Sequence, residues 1–406
     1  MHISIKFFIG AGLFMESRHS IINLDALASN FLAIQDAVGS ARVMAIVKAN
    51  AYGHGLVACS RFLQHQGVTY FGVAFIQEAI ELRLAGITVP ILVLGGVMQE
   101  QIPLFLEYDI EIMASSIDKL IAIDACATKY GKKACVHLKI DTGLGRIGVR
   151  YTNAEQFFLT AISLPWIEIV GVASHFATAD SCAPQDVAYM REQCSRFKQA
   201  TEFFTRHGLP MPLRHIANSG AIMQLPESYF DIVRPGIMLY GVYPSSWMSK
   251  YMPLQPVLSL YARIVFFKVL LKDQALSYGL TWRTDKDTRV VTLPVGYGDG
   301  YPRSLSNKGH VLMQGIKHPI IGNICMDQMM INIGNHQAYC GDEVVLIGTS
   351  GDQEITINSL VDLYGGSPYE FLVLLNSRIS KQYIESTDHA LQFIYRKEKT
   401  YEHTSL

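Results

Sequence analysis

Eight short apolar runs, each stopping at a polar or glycine-bearing turn and separated from the next by helical or loop sequence, constrain this chain more than any other feature. They are Val43–Lys48, Tyr70–Phe75, Ile91–Gly95, Ile110–Met113, Cys135–Ile140, Ile167–His175, Arg214–Ser219 and Asp231–Arg234. Runs that are apolar on both faces belong to buried parallel strands, and the stretches Gln77–Leu84, Ser116–Ala127 and Ala188–Arg206 between them have helical patterns. Eight strands alternating with helices predict an α/β fold, a (β/α)8 TIM-like barrel, with a doubly wound open sheet as the competing arrangement. Before the first run, Ile21 onward reads as a short strand and then an amphipathic helix with Leu27, Phe31 and Leu32 on one side.

From about Pro256 the pattern changes to short β-rich runs divided by Gly, Pro, Asn and Asp. Val257–Leu270, Thr288–Pro294, His310–Met313, Pro319–Asn323, Met329–Ile333 and Asp342–Ile347 predict a mainly antiparallel β domain, followed by helices over Ile357–Tyr364 and Tyr369–Ser380. The expected division is an N-terminal extension over 1–16, a barrel over 17–255, a β domain over 256–390 and a polar tail over 391–406. Residues 1–14 read as a dispensable extension, with Met15 the better start: the apolar Phe7–Phe14 lacks a signal-peptide cleavage site.

Composition excludes several classes. A net charge of −1 leaves no basic footprint for nucleic acid or an acidic membrane. No segment reaches the ~18 consecutive apolar residues of a membrane span. Seven cysteines, odd in number and without C-x-x-C spacing, fit neither a disulfide framework nor a zinc site, and a reducing cytoplasm suits them. Cys135 and Cys325 lie in apolar runs and are expected to act as small core hydrophobes.

In a barrel, reactive groups lie at the C-terminal strand ends and phosphates bind near the loops after strands 7 and 8. Strand 1 ends in Lys48, strand 5 in Lys139 and Asp141, strand 6 in His175, strand 7 in Asn218-Ser219-Gly220, and strand 8 in Arg234-Pro-Gly-Ile237. A lysine at the tip of a buried strand can have its pKa lowered for Schiff-base chemistry, or can simply be solvated there. Tyr52, Ser219, the backbone N–H groups of Gly236 and Ile237, and Tyr369 are uncharged donors suited to a phosphate. Arg234 only donates, so it faces an acceptor: a pyridine nitrogen kept unprotonated, or the carboxylate of Asp231 in a plain salt bridge. Lys139 and Arg146 converge through a glycine-rich turn, where Lys139 either pairs with Asp141 or meets a second cation. Tyr278, between Ser277 and Gly279, is a turn aromatic or a catalyst needing a partner such as His175.

Taken together the motifs resemble the alanine racemase family over about 17–385. They are Ala45-Ile-Val-Lys-Ala-Asn-Ala-Tyr-Gly-His-Gly55, Lys139-Ile-Asp-Thr-Gly-Leu-Gly-Arg146, Ser174-His-Phe-Ala-Thr-Ala-Asp180, His215-Ile-Ala-Asn-Ser219, Arg234-Pro-Gly-Ile237, Ser277-Tyr-Gly279, Gly296-Tyr-Gly-Asp-Gly300 and Cys325-Met-Asp-Gln328. Pro235, Gly298 and Gly366-Ser-Pro-Tyr369 depart from the family's usual residues; none touches the two bases. The resemblance implies racemisation of L- and D-alanine on pyridoxal 5'-phosphate (PLP), supplying D-alanine for peptidoglycan, in a cytoplasmic homodimer with shared sites. It implies that Lys48 carries PLP by a Schiff base and serves the D-enantiomer, while the partner's Tyr278 serves the L-enantiomer. Tyr52, Ser219, Gly236, Ile237 and Tyr369 hold the phosphate, with Asn218 and His175 beside the cofactor. Arg234 faces the pyridine nitrogen and Arg146 the phenolic oxygen. It implies that the Met326 N–H receives the substrate carboxylate, that Asp327 and Arg146 also bind substrate, that Tyr297 narrows the entrance, and that Lys139 is a candidate for carbamylation. The rival readings are a racemase of another small amino acid such as serine, a PLP-dependent decarboxylase, a non-catalytic PLP-binding protein, and a metal-dependent hydrolase using a modified Lys139 with His175 and His215.

Overall fold

The computed structural model of the protein describes residues 16–385, so the expected extension over 1–14 and the polar tail over 391–406 lie outside the described residues. The chain divides into two compact units: one holds Ile21–Leu258 and Thr356–Leu375 with 383–385, the other Ser259–Ile355 and Asn376–Gln382 with 16–20.

The first unit is a closed parallel barrel. Strands Ala45–Ile46, Phe71–Val73, Ile91–Val93, Glu111–Ala114, Ala134–Asp141, Ile167–Ala173 and Leu213–His215 neighbour one another in chain order. The ring closes where Ile232–Val233 runs parallel to Arg42–Val43, with Ile232 opposite Arg42, and through a parallel bridge between Asn218 and Arg234. An open sheet has no such closing pair, so the doubly wound alternative is excluded. Closure buries the runs on both faces: Ile91, Leu92, Val136, Leu138, Val172 and Ile232 are all fully inaccessible.

The helices follow local rules. Asn23 caps Leu24–Val38 by accepting from the Ala26 N–H at 3.0 Å. Gly39 ends the same helix at φ 61°, a left-handed value that glycine adopts freely. The buried stripe of the helix is Leu24, Leu27, Phe31, Ile34 and Val38. Leu32, expected on that side, faces solvent because it lies about 100° around the helix from Phe31. The helix expected from Ala188 begins at Pro184, a first-turn proline whose missing N–H costs nothing there.

The second unit is built on a mainly antiparallel sheet, whose strands run in the order Phe266–Leu270, Thr288–Leu293, Met329–Gly334, Ile316–Ile321, His310–Met313, Glu343–Ser350, Leu258–Arg263, Arg18–Asn23, Ser380–Ile384, with Gln353–Ile355 added beside Glu343–Ser350. Val257–Leu270, read as one run, is two strands: the chain leaves Glu343–Ser350 for Thr288–Leu293 at Ile264–Val265. One further expectation is corrected: the helix read over Tyr369–Ser380 is Pro368–Leu374, and Ser380–Ile384 is a strand. Thr356–Leu375 groups with the barrel unit, where Asn358 exchanges hydrogen bonds with the Tyr243 backbone at 3.2 and 3.0 Å. The seven cysteines are all free; Cys135 and Cys325 are half-buried rather than core.

Candidate active site

A cavity of about 460 Å³ is lined by the barrel unit alone, and it gathers Lys48, Tyr52, Lys139, Arg146, His175, Asn218, Ser219, Arg234, Gly236 and Tyr369. Ile237 is fully buried next to Gly236 and is not part of the lining. Strand ends far apart in the sequence meet here because parallel strands put their C-terminal ends at one face.

Lys48 follows the first strand and is succeeded by four residues in the left-handed region, Ala49, Asn50, Ala51 and Tyr52, all at φ 52–55°. Left-handed conformation costs L-residues roughly 1–2 kcal/mol each, so this turn stores several kcal/mol. Hydrogen bonds hold it: Ala49 N–H donates to Glu78 Oε1 at 2.6 Å, and Asn50 Oδ1 accepts from Leu56 N–H at 2.7 Å. Burial first, then Arg146, lowers the Lys48 pKa against the opposing pull of Glu78, which favours a free amine.

One end of the cavity is a hydroxyl cluster. Ser219 Oγ accepts from Gly236 N–H at 2.9 Å, so that N–H, expected to be open for a phosphate, has an internal partner. A Cβ at Gly236 would lie 2.4 Å from Tyr52 Oη, so only glycine fits against this phenol. The Tyr52 and Tyr369 rings stand 6.3 Å apart, and burial raises both phenols' pKa, keeping them neutral donors. Asn218 is a helix cap, its Oδ1 accepting from Ala221 N–H at 3.1 Å.

The other end is cationic. Arg234 donates from Nη1 to His215 Nδ1 at 2.8 Å and from Nη2 to Ser174 O, Ile216 O and His175 Nδ1 at 2.7, 3.2 and 3.1 Å. The salt bridge with Asp231 does not form, because Asp231 pairs with Arg214 at 2.9 Å. Burial and Arg146 pull Arg234 down to about 9, still protonated at neutral pH. Burial and Arg234, then Lys139, Arg146 and Lys48, hold His175 well below 6.5. It is therefore neutral, and with Nδ1 accepting from Arg234 its proton sits on Nε2. Burial, Arg234 and Arg146 likewise hold Lys139 well below its usual value, while Asp141 Oδ1 is taken by Gly143 and Gly145 N–H at 3.0 and 3.1 Å. His215 bonds through both ring nitrogens, to Arg234 and to His137, which leaves neither for the metal of the hydrolase reading.

The remaining predicted residues form a second constellation within the β unit. Ser277 Oγ donates to Asn323 O at 2.6 Å, Asn323 Nδ2 to Tyr278 O at 2.7 Å, and Tyr297 and Gly298 N–H to Cys325 O and Met326 O at 3.0 and 2.8 Å. Asp327 pairs with Arg378 at 2.6 Å. Ser277, at φ 66° and ψ 175°, occupies a conformation normally left to glycine. The side chain of Tyr278 beside it is 73% exposed. Sequence reasoning missed Glu78, Glu111, His137 and Gly171. One signal was available for His137: it lies two residues before Lys139 on the same strand and therefore on the same inward face.

Comparison with known proteins agrees with this geometry. Family models described as the N-terminal and C-terminal domains of alanine racemase match residues 22–244 and 257–383. An alanine racemase of Desulforamulus reducens is 41% identical over 367 residues, 89% of this chain and 98% of the relative. The crystal structure of alanine racemase from D-cycloserine-producing Streptomyces lavendulae superposes with a TM-score of 0.87 at 33% identity, covering 92% of this chain and 98% of that one. That of Bartonella henselae, with covalently bound pyridoxal phosphate, gives 0.82 at 28% identity, covering 91% and 100%.

Proposed function

Because the chain belongs to the alanine racemase family, it interconverts L- and D-alanine, and we propose that Lys48 and Tyr278 are its two bases, acting in a cavity completed by a second copy of the chain. The family depends on pyridoxal phosphate, and its product D-alanine serves bacterial cell-wall peptidoglycan. The residues present fit this cofactor: a lysine with lowered pKa, neutral hydroxyls at one end, and a fixed cation at the other. Lys48 would hold it covalently; Tyr52, Ser219, Tyr369 and the backbone N–H of Ile237 would take its phosphate, Gly236 and Asn218 shaping that end; Arg234 would face its ring nitrogen and Arg146 its phenolic oxygen. When bound, the cofactor supplies an electron sink that acidifies the substrate Cα–H.

The observation that carries the reading is the state of Lys48: burial and the cations favour the neutral amine, which, released when the substrate amine takes its place on the cofactor, would take a proton from one face of the substrate. Arg234 only donates, so the ring nitrogen opposite it stays unprotonated, and the stronger sink a decarboxylase needs is disfavoured. The other face needs a second base. Tyr278 suits it, being exposed on a strained turn, and the Nε2–H of His175 is the donor that would stabilise its phenolate. The backbone N–H of Met326 would receive the substrate carboxylate, Asp327 beside it being held by Arg378, and Tyr297 would restrict side-chain size, favouring alanine over serine. Exposure of this constellation supports a homodimer in which each copy lends Tyr278 to the other. Lys139 is proposed as a carbamate: its lowered pKa gives the free amine that adds carbon dioxide, and the resulting anion offsets Arg146 and Arg234. The seven free cysteines, two of them exposed, support a cytoplasmic location. Among the described residues no helix is long and apolar enough to cross a membrane.

The test uses the purified enzyme with L-alanine. Wild type yields an equal mixture of enantiomers, and Lys48→Ala and Tyr278→Phe each abolish conversion. Unfolding and refolding an equal mixture of the two dead variants restores about one quarter of wild-type activity, since half the dimers are hybrids with one intact site. Full activity in either variant alone, or none in the mixture, refutes the shared two-base site.

A further inference from the structure

The interior of a (β/α)8 barrel is ordinarily filled with branched apolar side chains, and polar groups there are costly unless fully bonded. This barrel carries a row of them that the proposed chemistry does not use. His215 Nε2 and His137 Nδ1 are 2.8 Å apart, and His137 Nε2 lies 2.9 Å from Glu111 Oε2. Tyr70 Oη donates to the same carboxylate oxygen and lies 2.8 Å from His137 Nε2, so the His137 proton is shared between the phenol oxygen and the carboxylate. Glu111 opens its strand, so it sits at the end of the barrel away from the cavity, and its carboxylate is only 12% exposed. The row has been given room: a Cβ at Gly171, on the neighbouring strand, would stand 2.3 Å from His137 Nδ1.

The direction of the bonds can be read from the Arg234 end and agrees with an acceptor-only carboxylate at the other. A guanidinium only donates, so His215 Nδ1 accepts and its proton is on Nε2. That Nε2–H donates to His137 Nδ1, which places the His137 proton on Nε2, where it meets the acceptor Glu111. Burial and Arg234 hold His215 well below 6.5, consistent with a single proton on its ring. The partners of the Arg234 nitrogens are two imidazoles and two carbonyls, all neutral, while a buried cation needs a counter-charge.

We propose that Glu111 is a positioning residue: from the far end of the barrel its carboxylate fixes the tautomers of His137 and His215 and so orients Arg234 in the cavity. The consequence for catalysis rests on the role given to Arg234 above; the hydrogen-bonded row itself does not.

The holoenzyme labelled with 15N-histidine tests both parts. Wild type shows an Nε2–H and an unprotonated, accepting Nδ1 on His137 and on His215. In Glu111→Leu these ring signals shift or mix tautomers, and kcat falls about tenfold, the loss expected for one charge-assisted hydrogen bond. KM for alanine moves less than about twofold, since no member of the row touches substrate. Glu111→Gln keeps an acceptor and recovers most of kcat. Should Glu111→Leu fail to fold, Gly171→Ala, which displaces the His137 ring without removing a polar group, gives the same signature. An Nδ1–H on either histidine of the wild type overturns the proposal, as does wild-type kcat in Glu111→Leu, or a loss of kcat with unshifted ring signals. Arg234→Leu, run alongside, separates the premises. If it racemises alanine like wild type, the role of Arg234 fails first; if it is crippled and Glu111→Leu is not, only the Glu111 proposal falls.

Discussion

Replacing Glu78 tests what holds the strained turn after Lys48. Its carboxylate accepts from Ala49 N–H at 2.6 Å through one oxygen, and from Ala74 and Phe75 N–H at 2.8 and 3.2 Å through the other. Phe75, the cap of the helix Ile76–Leu84, has no side chain able to do this, so one residue serves both a helix start and the turn. Hydrogen bonds to a charged acceptor contribute ~1.5–3 kcal/mol when buried, and partial exposure here reduces the two shorter ones to ~1 kcal/mol each. Glu78→Leu therefore costs about 2 kcal/mol over the two sites, of which the ~1 kcal/mol lost at Ala49 N–H is about fivefold in the opening equilibrium of a turn already carrying left-handed strain. Amide hydrogen exchange over Ala49–Gly53 reads this directly: protection should drop about fivefold there. Protection of Ala134–Asp141 should stay as in wild type. Glu78→Gln, with one acceptor oxygen left, should lose about half that free energy. Removing the carboxylate also removes its upward pull on Lys48, so the pH midpoint for capture of pyridoxal phosphate by the apoprotein should fall. Unchanged exchange over Ala49–Gly53 in Glu78→Leu would refute the argument, because the turn would then be held by something other than this carboxylate.

Acid stability follows from the buried histidines. His175 and His215 have folded pKa values well below 6.5, so below that pH the unfolded chain binds protons the native state refuses, and stability falls as pH falls. At about one unit below, two such groups cost about 3 kcal/mol, measurable as a drop in urea midpoint between about pH 7 and 5.5 that His215→Asn should roughly halve. An equal slope in wild type and variant would contradict this. For Lys139, 13C-bicarbonate should give a carbamate resonance that disappears in Lys139→Ala; a bare amine in wild type sinks that proposal.

Several sequence expectations needed only local information. The eight buried strands and the lysine closing the first were legible because closure demands apolar residues on both faces and polar ones at the ends. Elements whose neighbours lie far along the chain were not. Tyr369–Ser380 reads as one helix, yet Ser380–Ile384 pairs at a sheet edge no local pattern announces. Cys135, apolar by its sequence neighbours, is only half-buried although Ala134 and Val136 on either side of it are buried.

What the sequence by itself determined is the inventory and its spacing: which residues end strands, where glycine is obligatory, and that Tyr278 belongs to a different unit from Lys48. Tertiary structure alone decided protonation and pairing. Arg234 is bound to His215 and His175 rather than Asp231, burial and neighbouring cations lower the Lys139 pKa, and Glu111 reaches the row that ends at the distant Arg234. Hydrogen-bond direction and desolvation depend on what lies within a few ångströms in space, and the barrel brings together residues that sequence spacing keeps far apart.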